Sequence, residues 1–144
     1  GLGCPVGGVL AGSKDFIQAA WRWKQRIGGA MRQSGVIAAA GIYALDHNVE
    51  LLAQDHANAK LLADRISGIK GLSLSNGQPD SNIVFFRVEA AGKTNVQVCA
   101  ELLKGNVRMG AFGGPTGRIR CVTHHDVSKT DIERAVKALA ALMR

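Results

Sequence analysis

Three consecutive residues, His124, His125 and Asp126, are the densest group of potential metal ligands in the sequence. They follow the apolar and basic segment "RIRCVT", which has the composition of a β-strand, and neighbouring strand residues point to opposite faces. Two imidazoles on opposite faces could hardly share one ion, and a zinc site needs its ligands to converge. His47 and His56 have no acidic or cysteine partner at ligand spacing. We therefore predict no metal site.

The glycine-rich opening "GLGCPVGG" is the second candidate, because glycine loops can cradle phosphate groups. Val6 occupies the position that the dinucleotide pattern G-x-G-x-x-G reserves for its last glycine, and no G-K-[ST] ending follows. We expect these glycines to permit a turn instead. Ser13, Ser34 and Ser128 stand where helices are expected to start, so capping explains them and no nucleophile-base pair emerges.

The charge is distributed unevenly along the 144 residues, whose net charge is +7. Residues 1–33 contain five basic side chains and one acidic side chain, a local cluster that suits a small anion such as a phosphate group, although a solvated helix face remains an alternative.

Aromatic residues make up only 5%, which argues against a nucleic-acid partner. No apolar run approaches the roughly 18 residues of a membrane helix, so no membrane partner is expected. Three widely spaced cysteines are typical of reduced thiols in a cytoplasmic protein.

The hydrophobic pattern changes along the chain. "PVGGVLAG" predicts a short buried strand, and a helix should start at Ser13 and end at Gly28-Gly29. A long helical pattern runs from about Met31 to Ile66, with a break at "LDHNVE" where Asn48 could cap a new start. From "LSLS" onwards the order is β-β-α-β-β-α, a small two-layer α+β module in which Gly105 closes one helix. Ser128 and Asp131 form a candidate capping box for the last helix.

Several motifs in order resemble one enzyme family. The segments "GLGCPVGGVLAGSKDFI", "RWKQRIGGAMRQSGVIAAAGIYALDHNVELLAQDHANAKLLA", "NIVFFRV" and "RIRCVTHHDVS" are similar to those of the low-specificity L-threonine aldolases. These are lyases of fold type I that depend on pyridoxal 5′-phosphate (PLP). The resemblance covers essentially the whole chain. It implies three parts: residues 1–33 as the tail of the PLP-binding large domain, residues 34–70 as a connecting helix, and residues 71–144 as the small C-terminal α+β domain.

The resemblance also implies where the chemistry resides. In the family, Ser-Lys immediately precedes the Gly-Leu-Gly segment, and that lysine forms the Schiff base with PLP. The chain would then begin one residue after it and contain no catalytic residue of its own, so we expect the isolated chain to be inactive. Arg120 matches the arginine that binds the substrate α-carboxylate, a task suited to a planar guanidinium. Arg32 matches an arginine that reaches the cofactor region of the neighbouring subunit. Gln25 stands where many relatives have lysine.

The implied reaction is the retro-aldol cleavage of β-hydroxy-α-amino acids such as threonine to glycine and an aldehyde. The implied partners are a small amino-acid substrate and further copies of the chain, arranged as a dimer of dimers. The alternative hypothesis, from a different class, is a non-catalytic α+β binding or regulatory module that uses residues 1–33 to bind an anion.

Overall fold

A computed structural model describes residues 1–114 and 116–144. The chain divides into two compact units, Leu2–Val49 and Glu50–Arg144, with Gly1 grouped with the second. The helices of the N-terminal unit are α1 (Lys14–Arg26) and α2 (Gly35–His47). The elements of the C-terminal unit are, in chain order, α3 (Leu52–Ser67), β1 (Leu72–Leu74), β2 (Ile83–Val88), α4 (Asn95–Lys104), β3 (Gly110–Phe112), β4 (Arg118–Val122) and α5 (Lys129–Leu142).

Local capping explains the first helix. The backbone N–H of Phe16 donates to the Ser13 hydroxyl at 3.3 Å, which confirms Ser13 as the N-cap of α1. The helix ends at Ile27, and Gly28 follows with a φ of 80°, a conformation that favours glycine. The strand predicted for "PVGGVLAG" is wrong, because these residues are exposed, bend at Pro5 and Val6, and have no pairing partner among the described residues. Gly7, with a φ of 123°, also lies outside the β region.

The long helical pattern is two helices in the structure. Asn48 ends α2, because its backbone N–H donates to the Ala44 carbonyl at 2.8 Å and its side-chain amide donates to the Leu2 carbonyl at 2.7 Å. Leu51 precedes α3 and provides no side-chain cap, so the prediction that Asn48 starts the second helix was wrong. No single helix in the described ranges is long and apolar enough to cross a membrane, and α2 and α3 reach that standard only as a broken pair.

The C-terminal unit is a four-stranded antiparallel sheet with the strand order β1-β2-β4-β3. Helices α3 and α4 pack on this sheet, and α5 packs on both of these helices. Alternate strand residues face these helices, and the core they form is buried: Leu72, Val84, Phe86, Ile119 and Cys121 from the strands, with Ala59, Leu62, Ile66, Val98, Leu102 and Leu139 from the helices. The predicted α+β module and its β-β-α-β-β-α order are confirmed. The compact unit runs from Glu50, so it includes α3 together with this module.

Caps fix both later helices of this unit. Ser128 and Asp131 form the predicted capping box, with the Asp131 N–H donating to the Ser128 hydroxyl at 3.2 Å. Gly105 is the predicted C-cap of α4. The same helix begins with a second capping box, formed by Thr94 and Gln97, that the sequence analysis missed although Thr-x-x-Gln is its usual signature.

Candidate functional site

The candidate site lies on the face of the sheet opposite the helices of the same unit, here called the outer face. On β4, Ile119 and Cys121 are buried among the helices, so Arg118 and Arg120 project to the outer face. Residues two positions apart on a strand share a side, so alternation along the sequence predicts the same placement for these two arginines. Phe85 of β2 pairs directly with Arg120 across one edge of β4, and Gly110 of β3 pairs with it across the other.

The two residues that flank Arg120 on the outer face differ greatly in side-chain size. Phe85 stands on one side with its aromatic ring, and the guanidinium of Arg118 lies over that ring, with its Cζ atom 4.6 Å from the ring centroid. Gly110 stands on the other side and has no side chain. Arg120 is therefore bounded by a wall on the β2 side and by open space on the β3 side.

The guanidinium of Arg120 is accessible to an anionic ligand. Its side chain is exposed, and within the ranges 1–114 and 116–144 no carboxylate forms an ion pair or hydrogen bond with it. A guanidinium presents five donors in a fixed fork, which matches the two oxygens of a carboxylate. This arrangement can bind and orient a carboxylate.

Arg120 also lines a groove at the β3 edge of the sheet. The groove has a volume of about 490 Å³ and is bounded by β4, the segment leading into β3, and the first turns of α5. Its charged and polar rim includes Arg108, Asp126, Asp131 and Arg134, and Gly110 forms part of its wall. Leu62, Cys121 and Ile132 also line it, so this groove extends to the helix side of the sheet and is distinct from the outer-face space beside Gly110.

A buried polar network fixes the end of β4 behind this site. The Thr123 hydroxyl donates to the Asp55 carbonyl of α3 at 2.7 Å, and the Thr123 N–H donates to the Asn82 carbonyl at 3.0 Å. The Asn82 amide donates back to the Thr123 carbonyl at 2.6 Å. Asn58 of α3 donates to the Val127 carbonyl at 2.8 Å. These bonds tie the strand that carries Arg120 to α3, and the sequence analysis did not find them.

The thiols of the C-terminal unit are not nucleophiles. Burial raises the pKa of Cys121 to about 12, with the nearby Cys99 thiol adding to the shift and Arg120 opposing it. Burial also raises the pKa of Cys99. Because the thiolate is the reactive form, a raised pKa lowers the reactivity of both thiols.

The structure places His124 and His125 differently from the sequence analysis. Strand β4 ends at Val122, so the two histidines lie in the following loop and the alternation of a strand does not apply to them. Both rings approach Asp126, with His124 Nδ1 at 3.4 Å from one carboxylate oxygen and His125 Nε2 at 3.3 Å from the other. Within the part of the chain that the structure describes, no three His, Cys, Asp or Glu side chains form a group that could hold a metal ion.

Arg32 belongs to the N-terminal unit, in the turn that precedes α2. It is exposed, and Gln33 beside it has a φ of 52°. Ser34, the first residue before the helix, makes no side-chain capping bond. The structure thus presents Arg32 as an accessible cation at a helix start, a position that suits an anionic group.

The comparison with known proteins gives consistent results. The family model described as beta-eliminating lyase matches residues 1–91. The low specificity L-threonine aldolase of Escherichia coli K12 is 41% identical over 133 residues, which is 92% of this chain and 37% of that protein. The low-specificity L-threonine aldolase 1 of Arabidopsis thaliana is 34% identical over 143 residues, or 99% of this chain and 40% of that protein.

A solved structure extends the comparison to the fold. A putative aromatic amino acid beta-eliminating lyase/threonine aldolase from Exiguobacterium superposes with a TM-score of 0.73 at 20% identity, over 98% of this chain and 42% of that one. This likeness confirms the predicted fold, the C-terminal part of a fold type I enzyme. The chain belongs to the beta-eliminating lyase family. It spans about two fifths of the length of the relatives it matches.

Proposed function

We propose that the protein carrying this chain is a PLP-dependent aldehyde-lyase that cleaves β-hydroxy-α-amino acids, threonine among them, to glycine and an aldehyde. The observation that carries the proposal is Arg120, an exposed guanidinium without a carboxylate partner in the described residues. It lies in a segment with the motif order of threonine aldolases. Similarity to the relatives from Escherichia coli and Arabidopsis supports the choice of reaction.

Each arginine has a distinct part in this proposal. Arg120 pairs with the α-carboxylate of the substrate and fixes the orientation of the amino acid. Arg32 faces the cofactor of a neighbouring subunit, where a guanidinium suits the phosphate group of PLP. When bound, PLP supplies an electron sink for the pair of electrons released as the Cα–Cβ bond breaks. The relatives' lysine at the position of Gln25 has no counterpart here, so no positive charge acts from that position.

The proposal also includes the oligomeric state of the protein and its cellular location. Helix α2 carries exposed apolar side chains, with Val36 exposed by 77%, Ile42 by 63% and Leu45 by 58%. A patch of this kind supports a subunit interface, and we assign it to a homotetramer built as a dimer of dimers.

The three cysteines are free thiols, which supports a cytoplasmic location. The three-part division at residues 33 and 70 remains a prediction.

The test uses the protein expressed from its complete reading frame and purified with PLP. Incubation with L-threonine should release glycine and acetaldehyde in equal amounts, and the purified protein should show the visible absorbance of bound cofactor. Light scattering at micromolar concentration should give the mass of four chains. A folded protein that binds PLP but releases no glycine would contradict the proposed reaction. One that also binds no PLP would favour the non-catalytic binding module.

A further inference from the structure

Gly110 is the residue beside Arg120 on the edge strand of the sheet. The two pair directly in the β3–β4 ladder, so their Cα atoms face each other and any side chain at position 110 would project to the outer face with Arg120. Strands favour residues with branched or aromatic side chains, and glycine weakens them. Gly110 is the first residue of the three-residue strand β3, and it leaves the outer face beside Arg120 without a side chain.

Nothing in the chain itself requires glycine at this position. Gly110 does not have a positive φ. A Cβ atom built on it would meet only the Arg120 carbonyl oxygen, at 3.5 Å, which is an ordinary van der Waals contact. The described residues would therefore accept a side chain at position 110 without strain.

On the β2 side of Arg120, the outer face is occupied by side chains. Phe85 pairs with Arg120 across the other edge of β4, and its ring is covered by the Arg118 guanidinium. A ligand lying on the outer face beside Arg120 therefore has more room on the β3 side, over Gly110, than on the β2 side.

We propose that Gly110 is a specificity-determining residue: the carboxylate end of the amino-acid substrate lies over its backbone, in the space that a side chain would fill, and reaches Arg120 from there. This inference rests on the proposed function, because it takes Arg120 as the carboxylate-binding residue. It adds that the space on the β3 side of Arg120 is part of the substrate site.

The experiment compares three variants of the protein made from its complete reading frame. Gly110→Val places two methyl groups beside Arg120, and Gly110→Ala places one. Ala111→Val is the matched control, because it enlarges the next residue of the same strand on the opposite face. Ala111 is itself exposed, so the control should fold normally. Valine also favours strands, so Gly110→Val should not unfold the protein.

Two readouts keep this inference separate from the proposed function. The first is the KM for threonine cleavage, and the second is the Kd for glycine, measured by calorimetry without any turnover. We expect Gly110→Val to raise both constants by about tenfold or more, since small groups in a tight pocket discriminate on this scale. Gly110→Ala should raise them less, and Ala111→Val should leave both near the wild-type values.

The outcomes separate cleanly. A wild-type protein that cleaves threonine, with Gly110→Val unchanged in both constants, would overturn the inference and leave the proposed reaction standing. A wild-type protein that binds glycine without cleaving threonine would overturn the reaction, and loss of glycine binding in Gly110→Val would still support the inference. A wild-type protein that neither cleaves threonine nor binds glycine would overturn both.

Discussion

The guanidinium of Arg118 lies over the ring of Phe85, 4.6 Å from Cζ to the ring centroid. Phe85 in turn pairs directly with Arg120. Two arginines on the same face of one strand therefore have different surroundings: the first is held against an aromatic ring, and the second is left available. A cation held over a ring face gains about 0.5–1 kcal/mol at exposed sites.

The first prediction concerns Arg118. Replacing it with Leu should lower the free energy of unfolding by about 0.5–1 kcal/mol, because the cation over Phe85 is lost. Replacing it with Lys should preserve most of that stability, because an ammonium also binds a ring face. Denaturant unfolding of the purified protein measures both changes. Equal losses in Arg118→Leu and Arg118→Lys would show that the charge over the ring contributes nothing.

A second prediction concerns the network at the end of β4. Thr123→Val keeps the shape of the side chain but removes the hydroxyl that donates to the Asp55 carbonyl. The exposed fraction of Thr123 is only 1%, and the Asp55 carbonyl keeps its acceptor role within α3, so we expect the net loss of one buried hydrogen bond, about 0.5–1.5 kcal/mol. Thr130→Val on the exposed surface of α5 is the control and should stay within about 0.5 kcal/mol of wild type. Similar small effects at both positions would mean that the network does not hold β4.

The third prediction concerns pH and the last helix. Hydrogen bonds from the Ser128 hydroxyl and backbone N–H hold the pKa of Asp131 below its usual value of 3.8, with Arg134 adding to the shift. A carboxyl whose pKa is lowered by folding stabilises the fold at pH values above its unfolded pKa. That stabilisation is lost as the pH falls through the folded pKa. Acid should therefore weaken the cap of α5.

An NMR titration of the Asp131 carboxyl checks this prediction. The pKa should lie below 3.8 in the wild type and rise toward that value in Ser128→Ala, because the hydroxyl donor is the largest cause of the shift. The same variant should lose about 1 kcal/mol of stability near neutral pH, the usual cost of removing an N-cap. An unchanged Asp131 pKa in Ser128→Ala would show that the capping box does not form in solution.

Features carried by neighbouring residues were predictable from the sequence. The Ser128-Asp131 box, the Ser13 cap and the Gly105 stop each depend on a few adjacent positions, so local rules identified them. The apolar run at residues 5–12 misled the same rules, because a strand also needs a partner strand. The prediction for Asn48 failed for a related reason. Its side-chain amide donates to the carbonyl of Leu2, 46 residues away, and no local sequence pattern reveals such a contact.

In the candidate site, too, local features were predictable and long-range contacts were not. Alternation along β4 predicted that Arg118 and Arg120 share a face. It could not predict that Phe85 and Gly110 flank Arg120, because those contacts depend on the register between strands distant in sequence. The bond between Thr123 and Asp55 joins residues 68 positions apart. The role of Arg120 came from resemblance to a family, since its type and spacing alone do not distinguish it from a surface arginine.

The final prediction concerns Arg120 itself. In the protein expressed from its complete reading frame, Arg120→Lys should retain the absorbance of bound PLP, because this residue is assigned to the substrate and not to the cofactor. Catalytic efficiency with threonine should fall by about ten- to a hundredfold, since a hydrogen bond between charged groups contributes about 1.5–3 kcal/mol. Lysine keeps the charge but cannot reproduce the two-pronged geometry of a guanidinium on a carboxylate. Arg118→Lys is the matched control on the same face of the same strand, and its efficiency should stay close to wild type because the Arg118 guanidinium already packs on the Phe85 ring. If Arg118→Lys were the damaging change and Arg120→Lys were silent, the carboxylate would bind at Arg118. Loss of the cofactor absorbance in Arg120→Lys would instead assign Arg120 to PLP binding.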